Sequence, residues 1–179
     1  LEKWNLLKHP FYQAWSMGTL PVDALQVYAR EYGNFIATLP RGWETLNDAE
    51  TADEEREHAE MWTEFTAALG SFTADASLPQ TSNLVSTSRT LFAARASALG
   101  AMYAFEAQQP ATAQSKLDGL KTHYKLPQGV EPYFEVHAQN QHESEKILRM
   151  LESLPAAEQA EALAACEQMA ASLWDALTG

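Results

Sequence analysis

The chain has 179 residues, 46% hydrophobic and 20% charged, which is enough for one globular domain with a sizeable core. No apolar run approaches the roughly 18 residues of a membrane span, and a formal net charge of -12 argues against nucleic acid or an anionic membrane as partner. Its one cysteine, Cys166, excludes an intrachain disulfide and fits a reducing, cytoplasmic compartment. No signal peptide is visible, and the chain opens in mid-pattern on Leu1, as expected if a segment precedes it.

Every informative segment carries a helical period. Residues 1–17 place Trp4, Leu7, Phe11 and Trp15 at helical spacing, with His9-Pro10 opening a new turn and Gly18 and Pro21 marking a corner. In 22–39, Leu25, Tyr28, Tyr32, Phe35, Ile36 and Leu39 draw one apolar face. Pro40-Arg41-Gly42 interrupts it before a short helix carrying Trp43 and Leu46. A helix over 51–69 is expected to be capped by Thr51, with Glu54 three residues on. Residues 70–82, rich in Ser, Thr, Ala and Pro, read as a surface connection. A long amphipathic helix over 83–109, another over 111–124 after Pro110, a loop at 126–130, and helices over 132–154 and 157–177 complete about seven helices. No segment alternates as a strand does. The reading is a single all-α domain over 1–179, a bundle with short connections.

Polar residues fall on inward faces in three of these helices. Helical steps back from Glu106 meet Met102, Leu99, Arg95 and Phe92, so this carboxylate must be neutralised, paired with Arg95 or bound to a cation. His58 shares a stripe with Met61, Trp62 and Phe65, and Glu54 lies one turn before it, a spacing that aims carboxylate and imidazole at one point. The bland reading of that stretch is a solvated acidic helix start made by Asp53, Glu54, Glu55 and Glu57. In a continuous late helix, Phe134, His137, Gln141, Ser144, Leu148 and Leu151 share one face, and His142 lies about 140° away in solvent. A π-bulge between His137 and His142 would instead turn His142 inward and make Glu145 the next candidate ligand. Glu and His aimed inward from three helices is the pattern of di-metal carboxylate sites. Nucleophile elbows, phosphate loops, zinc-type cysteine pairs and dinucleotide-binding glycines are absent. Cys166 reads as small core filler, and His9 and His123, beside helix breaks, as local hydrogen-bonding residues.

Four stretches carry a family likeness: HPFYQAWSMGTLPVDALQVYAREYGNFI, ADEEREHAEMWTEFTAALG, YAFEAQQPATAQSKLDGL and PYFEVHAQNQHESEK. Together they resemble the haem-oxygenase-like superfamily, in the branch of TenA, PqqC and the chlamydial CADD proteins, with the third stretch most similar to the CADD-like members. The resemblance implies a seven-helix bundle around a central cavity, assembled as a homodimer and acting on a small-molecule substrate. It implies an iron-dependent oxidase or oxygenase in a biosynthetic pathway such as p-aminobenzoate supply for folate, where some members consume one of their own tyrosines. By position, the implied ligands of one or two iron ions are Glu54, His58, Glu106 and His137. The implied catalytic residues are Tyr12 of HPFY and Lys116, ten residues after the central glutamate. Tyr28, Tyr32 and Tyr103 either supply further oxidisable rings or line the cavity.

The sequence departs from the family pattern twice. The spacer between Glu54 and His58 is three residues short, and the late acid and histidine of the family are Gln141 and Ser144 here. Two other readings therefore stand beside the first. One is a metal-free enzyme of the TenA or PqqC kind acting on an aromatic or heterocyclic compound, although Cys166 lies in the wrong helix for a TenA thiaminase. The other is a non-catalytic binding bundle.

Overall fold

The computed structural model describes residues 1–127 and 129–178, and among them every regular element is helical. Two short 3-10 helices, Glu2–Trp4 and Leu6–Lys8, precede α1 (Pro10–Ser16), α2 (Val22–Ile36), α3 (Leu39–Thr45), α4 (Ala49–Ala68), α5 (Pro79–Leu91), α6 (Arg95–Glu106), α7 (Gln109–His123), α8 (Pro132–Ala138), α9 (His142–Glu152) and α10 (Ala156–Ala176). The all-α expectation holds, with more breaks than the periodicity predicts. Gln128, within the expected loop at 126–130, lies outside the described residues. No described helix is long and apolar enough to cross a membrane.

Capping explains where several helices begin. The His9 side chain accepts from the Phe11 N–H at 3.0 Å, and Pro10 occupies the first turn of α1, where its missing donor costs nothing. Asp48, not Thr51, caps α4, accepting from the Thr51 N–H at 3.2 Å, so the cap falls three residues earlier than expected.

The expected helix over 83–109 is two helices, separated by an extended Ala94. Its freed carbonyls are satisfied locally: Ser97 Oγ donates to the Leu91 carbonyl at 2.7 Å, and Thr45 Oγ1 to the Phe92 carbonyl at 2.7 Å. Arg95 donates to the Leu46 carbonyl at 3.1 Å, which accounts for its side chain without Glu106.

The centre of the molecule is α6, buried along almost its whole length. It packs against α10 so closely that a Cβ on Gly100 would lie 1.8 Å from the Ala162 carbonyl oxygen. On another side α9 lies against α6, and Lys146 of α9 bonds Asp48 and, at 2.9 Å, Thr51 Oγ1, tying α9 to the start of α4. The indole of Trp62 donates to the Ala29 carbonyl at 2.8 Å and locks α4 onto α2. Trp15 of α1 donates to the Lys116 carbonyl at 3.1 Å and fixes α7 beside α1.

Candidate metal centre

Thr51, Ala52, Glu55, His58, Trp62 and Phe65 form the buried face of α4. At about 100° per residue, this face is centred between His58 and Trp62 on the side away from Met61, which puts Glu55 near its middle and Glu54 near its edge. Glu54 is exposed, so the inward carboxylate of this helix is Glu55, one residue on from the expected position. From α6, Glu106 enters the same region with its side chain 2% exposed, as expected, although its proposed partner Arg95 is engaged elsewhere.

The late segment is neither a continuous helix nor a π-bulged one. After α8 ends at Ala138, residues 139–141 form a break, and α9 restarts at His142 in a new phase. That phase turns Glu143 and Ile147 inward and leaves Leu148 42% exposed. Gln141 and His142 are exposed and Ser144 is half-buried. Glu145 faces outward with Arg149 at 3.9 Å. Besides Glu55, the residue that sequence reasoning missed is Glu143, 1% exposed.

Five side chains therefore converge. Donor atoms of Glu55, His58 and His137 lie within 4.8 Å of one another, and so do those of Glu55, Glu106 and Glu143, with Glu55 common to both groups. The rings of His58 and His137 are 4.3 Å apart, centre to centre. His137 is fully buried, and its Nδ1 lies 2.6 Å from the Tyr133 carbonyl oxygen. That contact assigns the ring proton to Nδ1 and leaves Nε2 as a bare acceptor with no partner among the described residues. A histidine that donates one nitrogen to a backbone carbonyl and offers the other is oriented as metal ligands are.

The carboxylates show the same lack of partners. Glu55 Oε2, Glu106 Oε1 and both oxygens of Glu143 are buried without a hydrogen bond among the described residues. Nearby cations are committed to other groups: Lys146 to Asp48, Arg56 to Glu44 and Asp53, and Arg149 to Glu145. Three buried carboxylates carry a formal charge that no lysine or arginine offsets among the described residues, with only the His58 imidazole at 3.2 Å from Glu55, a costly arrangement unless protons or metal ions neutralise it.

The titration behaviour follows from this crowding. Burial, then the charges of Glu143 and Glu55, pushes the Glu106 carboxyl well above the ordinary range. Burial likewise raises Glu55 despite its bond to His58. For His58, burial alone would lower the pKa, but Glu55 at 3.2 Å, with Glu143 and Glu54, raises it. His137 is held down to about 3 by burial and by His58, so it stays the neutral imidazole that ligation needs. Mixed carboxylate and imidazole donors with unpartnered, buried lone pairs fit an iron ion better than they fit a solvated or ion-paired cluster.

A second group adjoins these residues. Lys116 is fully buried, donates to the Tyr28 hydroxyl at 3.2 Å, and has its Nζ within 5.2–6.0 Å of the ring centres of Phe134, Tyr12, Tyr28 and Trp62. Burial lowers its pKa to about 7. Tyr12 is buried, and burial raises its pKa to about 12 against the smaller opposing influence of the Tyr28 and Thr112 side chains. Tyr28 stacks on Tyr32 at 5.0 Å, and Tyr32 senses the Glu106 charge, so the aromatic cage and the carboxylates are contiguous. Tyr133, stacked on His137 at 4.0 Å and bonded by Gln109 at 2.9 Å, joins this wall. Tyr103 does not. It lines an external groove with Gly100, Leu163 and Cys166, which is half-buried and packs against the edge of the core.

Comparison with known proteins agrees with this geometry. Residues 42–175 match the family described as iron-containing redox enzyme, within the haem-oxygenase-like group, and this span contains all five converging residues. The chain is 32% identical to a 4-aminobenzoate synthase of Nitrosomonas europaea, over 100% of its own length and 87% of the relative's. It is 30% identical to a 4-aminobenzoate synthase of Chlamydia pneumoniae, over 99% and 90%. Among solved structures, a TenA homologue of Pseudomonas syringae superimposes with a TM-score of 0.79 at 17% identity, covering 98% of this chain and 86% of that one. A CADD-like protein of unknown function from Nostoc punctiforme does so with a TM-score of 0.63 at 17% identity, covering 98% and 93%. These structural likenesses speak for the fold. With its family match over three quarters of the sequence and relatives aligned along its whole length, the chain belongs to the haem-oxygenase-like family of iron-containing redox enzymes.

Proposed function

We infer that the chain is an iron-dependent oxidase or oxygenase that contributes to 4-aminobenzoate supply, with iron held by Glu55, His58, Glu106, His137 and Glu143. The observation that carries this reading is the set of buried, unpartnered donor atoms beside a caged lysine and tyrosine. The names of the two full-length relatives support the product class. Two donor groups sharing Glu55 favour two ions, one with imidazole ligands and one with carboxylates only.

Iron bound there supplies redox chemistry with dioxygen. The protein's residues do the rest. The Tyr133 carbonyl keeps the proton of His137 on Nδ1, so Nε2 stays open to the metal. Glu106, whose carboxyl is pushed well above the ordinary range by burial, would hold its proton in the absence of metal and give it up on ligation. The aromatic wall of Trp62, Phe134 and Tyr133 excludes bulk water from Lys116. With a pKa of about 7, Lys116 is in part a neutral amine near neutral pH, and its nitrogen lies 5.3 Å from the Tyr12 ring centre. In this reading Tyr12 supplies the aromatic ring and Lys116 sits beside it as amine and proton carrier. The homodimer expected from the resemblance is retained as part of the proposal.

Incubation of iron-loaded protein with reductant and dioxygen tests the reading. It predicts released 4-aminobenzoate and a matching mass loss in the peptide containing Tyr12, both abolished by Tyr12→Phe. Unchanged intact mass in fully iron-loaded wild type would remove self-consumption, and absence of any oxygen uptake would remove the oxidase reading.

A further inference from the structure

The interior centre leaves two candidates of the late and early motifs unused, Glu54 of α4 and His142 of α9. Both are exposed, yet a donor atom of each lies within 4.8 Å of the other and of a Glu143 donor atom. These three residues come from two helices held together at this end by Lys146, which bonds Asp48 and Thr51 at the start of α4.

The cluster is more than surface acidity. Glu143 is almost wholly buried, and neither of its oxygens has a hydrogen-bond partner among the described residues. It is also the one residue common to this group and to the interior carboxylates Glu55 and Glu106. Among the described residues no lysine or arginine pairs with Glu54 or Glu143, since Arg56, Lys146 and Arg149 are each bound to other acids. Two carboxylates and an imidazole within one coordination distance, without a protein cation, are a donor set for a divalent metal ion that keeps several solvent ligands.

We propose that Glu54, His142 and Glu143 form a solvent-facing divalent-cation site, through which metal enters the interior centre by way of Glu143. Two solvent-accessible ligands hold the ion loosely, and Glu143 belongs to both donor groups, so transfer exchanges the outer pair for Glu55 and Glu106. The role as an entry port rests on the metal reading of the interior, whereas the outer site stands without it. The break between α8 and α9 is what creates this arrangement. A continuous helix would have placed Gln141 and Ser144 inward and left Glu143 without access to either group.

The test is an anaerobic titration of metal-free full-length protein with Mn(II), reading free Mn(II) by electron paramagnetic resonance and following filling over time. Wild type is expected to hold tightly bound ions plus one weaker ion per chain. Glu54→Gln and His142→Ala, both at exposed positions, should lose only the weaker ion and fill the tight class more slowly, Glu54→Gln by about tenfold, as loss of a steering charge does. Glu106→Gln should weaken the tight class and keep the weaker ion. Identical isotherms and filling rates in wild type, Glu54→Gln and His142→Ala would overturn the outer site, and so would equal loss of both classes in the two surface variants. A weaker ion that disappears with Glu54→Gln, in a protein showing no tight class at all, would uphold the outer site and overturn the interior reading instead.

Discussion

His137 points its Nδ1 at the carbonyl oxygen of Tyr133, one turn earlier on α8, at 2.6 Å. This bond decides the tautomer, and with it the availability of Nε2, which is buried and has no partner among the described residues. A satisfied core histidine would spend both nitrogens. A metal ligand spends one and keeps the other.

His137→Ala should therefore lower iron affinity by more than the ~100-fold that loss of an outer-shell partner costs. His137→Gln, which keeps a polar side chain of similar length, should recover only part of it. Competition against a calibrated chelator measures both. An unchanged affinity in His137→Ala would assign the histidine to the core.

Lys116 makes a prediction about pH. Its folded pKa, about 7, lies below the 10.5 of the unfolded chain, so between these values the unfolded state binds more protons. The cost of burying the ammonium is fully present below about pH 7 and fades as pH rises towards about 10, so this residue makes stability increase with pH. In the metal-free protein, the urea midpoint of wild type should rise from about pH 7 to about pH 9.5 relative to that of Lys116→Met, by a free energy on the order of a few kcal/mol. Parallel pH profiles would show that the lysine is not desolvated.

The close crossing of α6 and α10 separates fold from site. Gly100→Ala drives a methyl into the Ala162 carbonyl, and the two helices must part. The expected loss is about 3 kcal/mol or more, at the upper end of overpacking costs, because backbone rather than a flexible side chain must move. Chemical denaturation reads it. A loss below about 1 kcal/mol would mean that the helices are less tightly crossed than described.

The all-helical fold was legible because Leu25, Tyr28, Tyr32 and Phe35, like Trp62 and Phe65, repeat at helical spacing and are buried as a stripe should be. The inward placement of Glu106, His58 and His137 was legible for the same reason. Glu55 was not, because Glu54 and Glu55 lie on either side of His58 in angle, and only the packing of Trp62 rather than Met61 against α2 chooses between them. Glu143 was hidden by the break after Ala138, which shifts the phase of everything that follows. Asn140, a weak helix former followed by the acidic first turn of Glu143 and Glu145, was the available signal. The split between α5 and α6 had no signal of its own, because Ala93-Ala94 favours helix and the break is stabilised by Thr45 and Ser97 from outside the pair.

The central claim is that the five converging side chains hold iron. Iron per chain and melting temperature, measured together on wild type and Glu106→Ala purified after growth with iron, test it most directly. The account predicts about two irons per wild-type chain, as two donor groups sharing a carboxylate imply, and loss of most of that iron in Glu106→Ala. Wild type purified without iron, or a Glu106→Ala protein that keeps its full iron complement and only melts earlier, would contradict it.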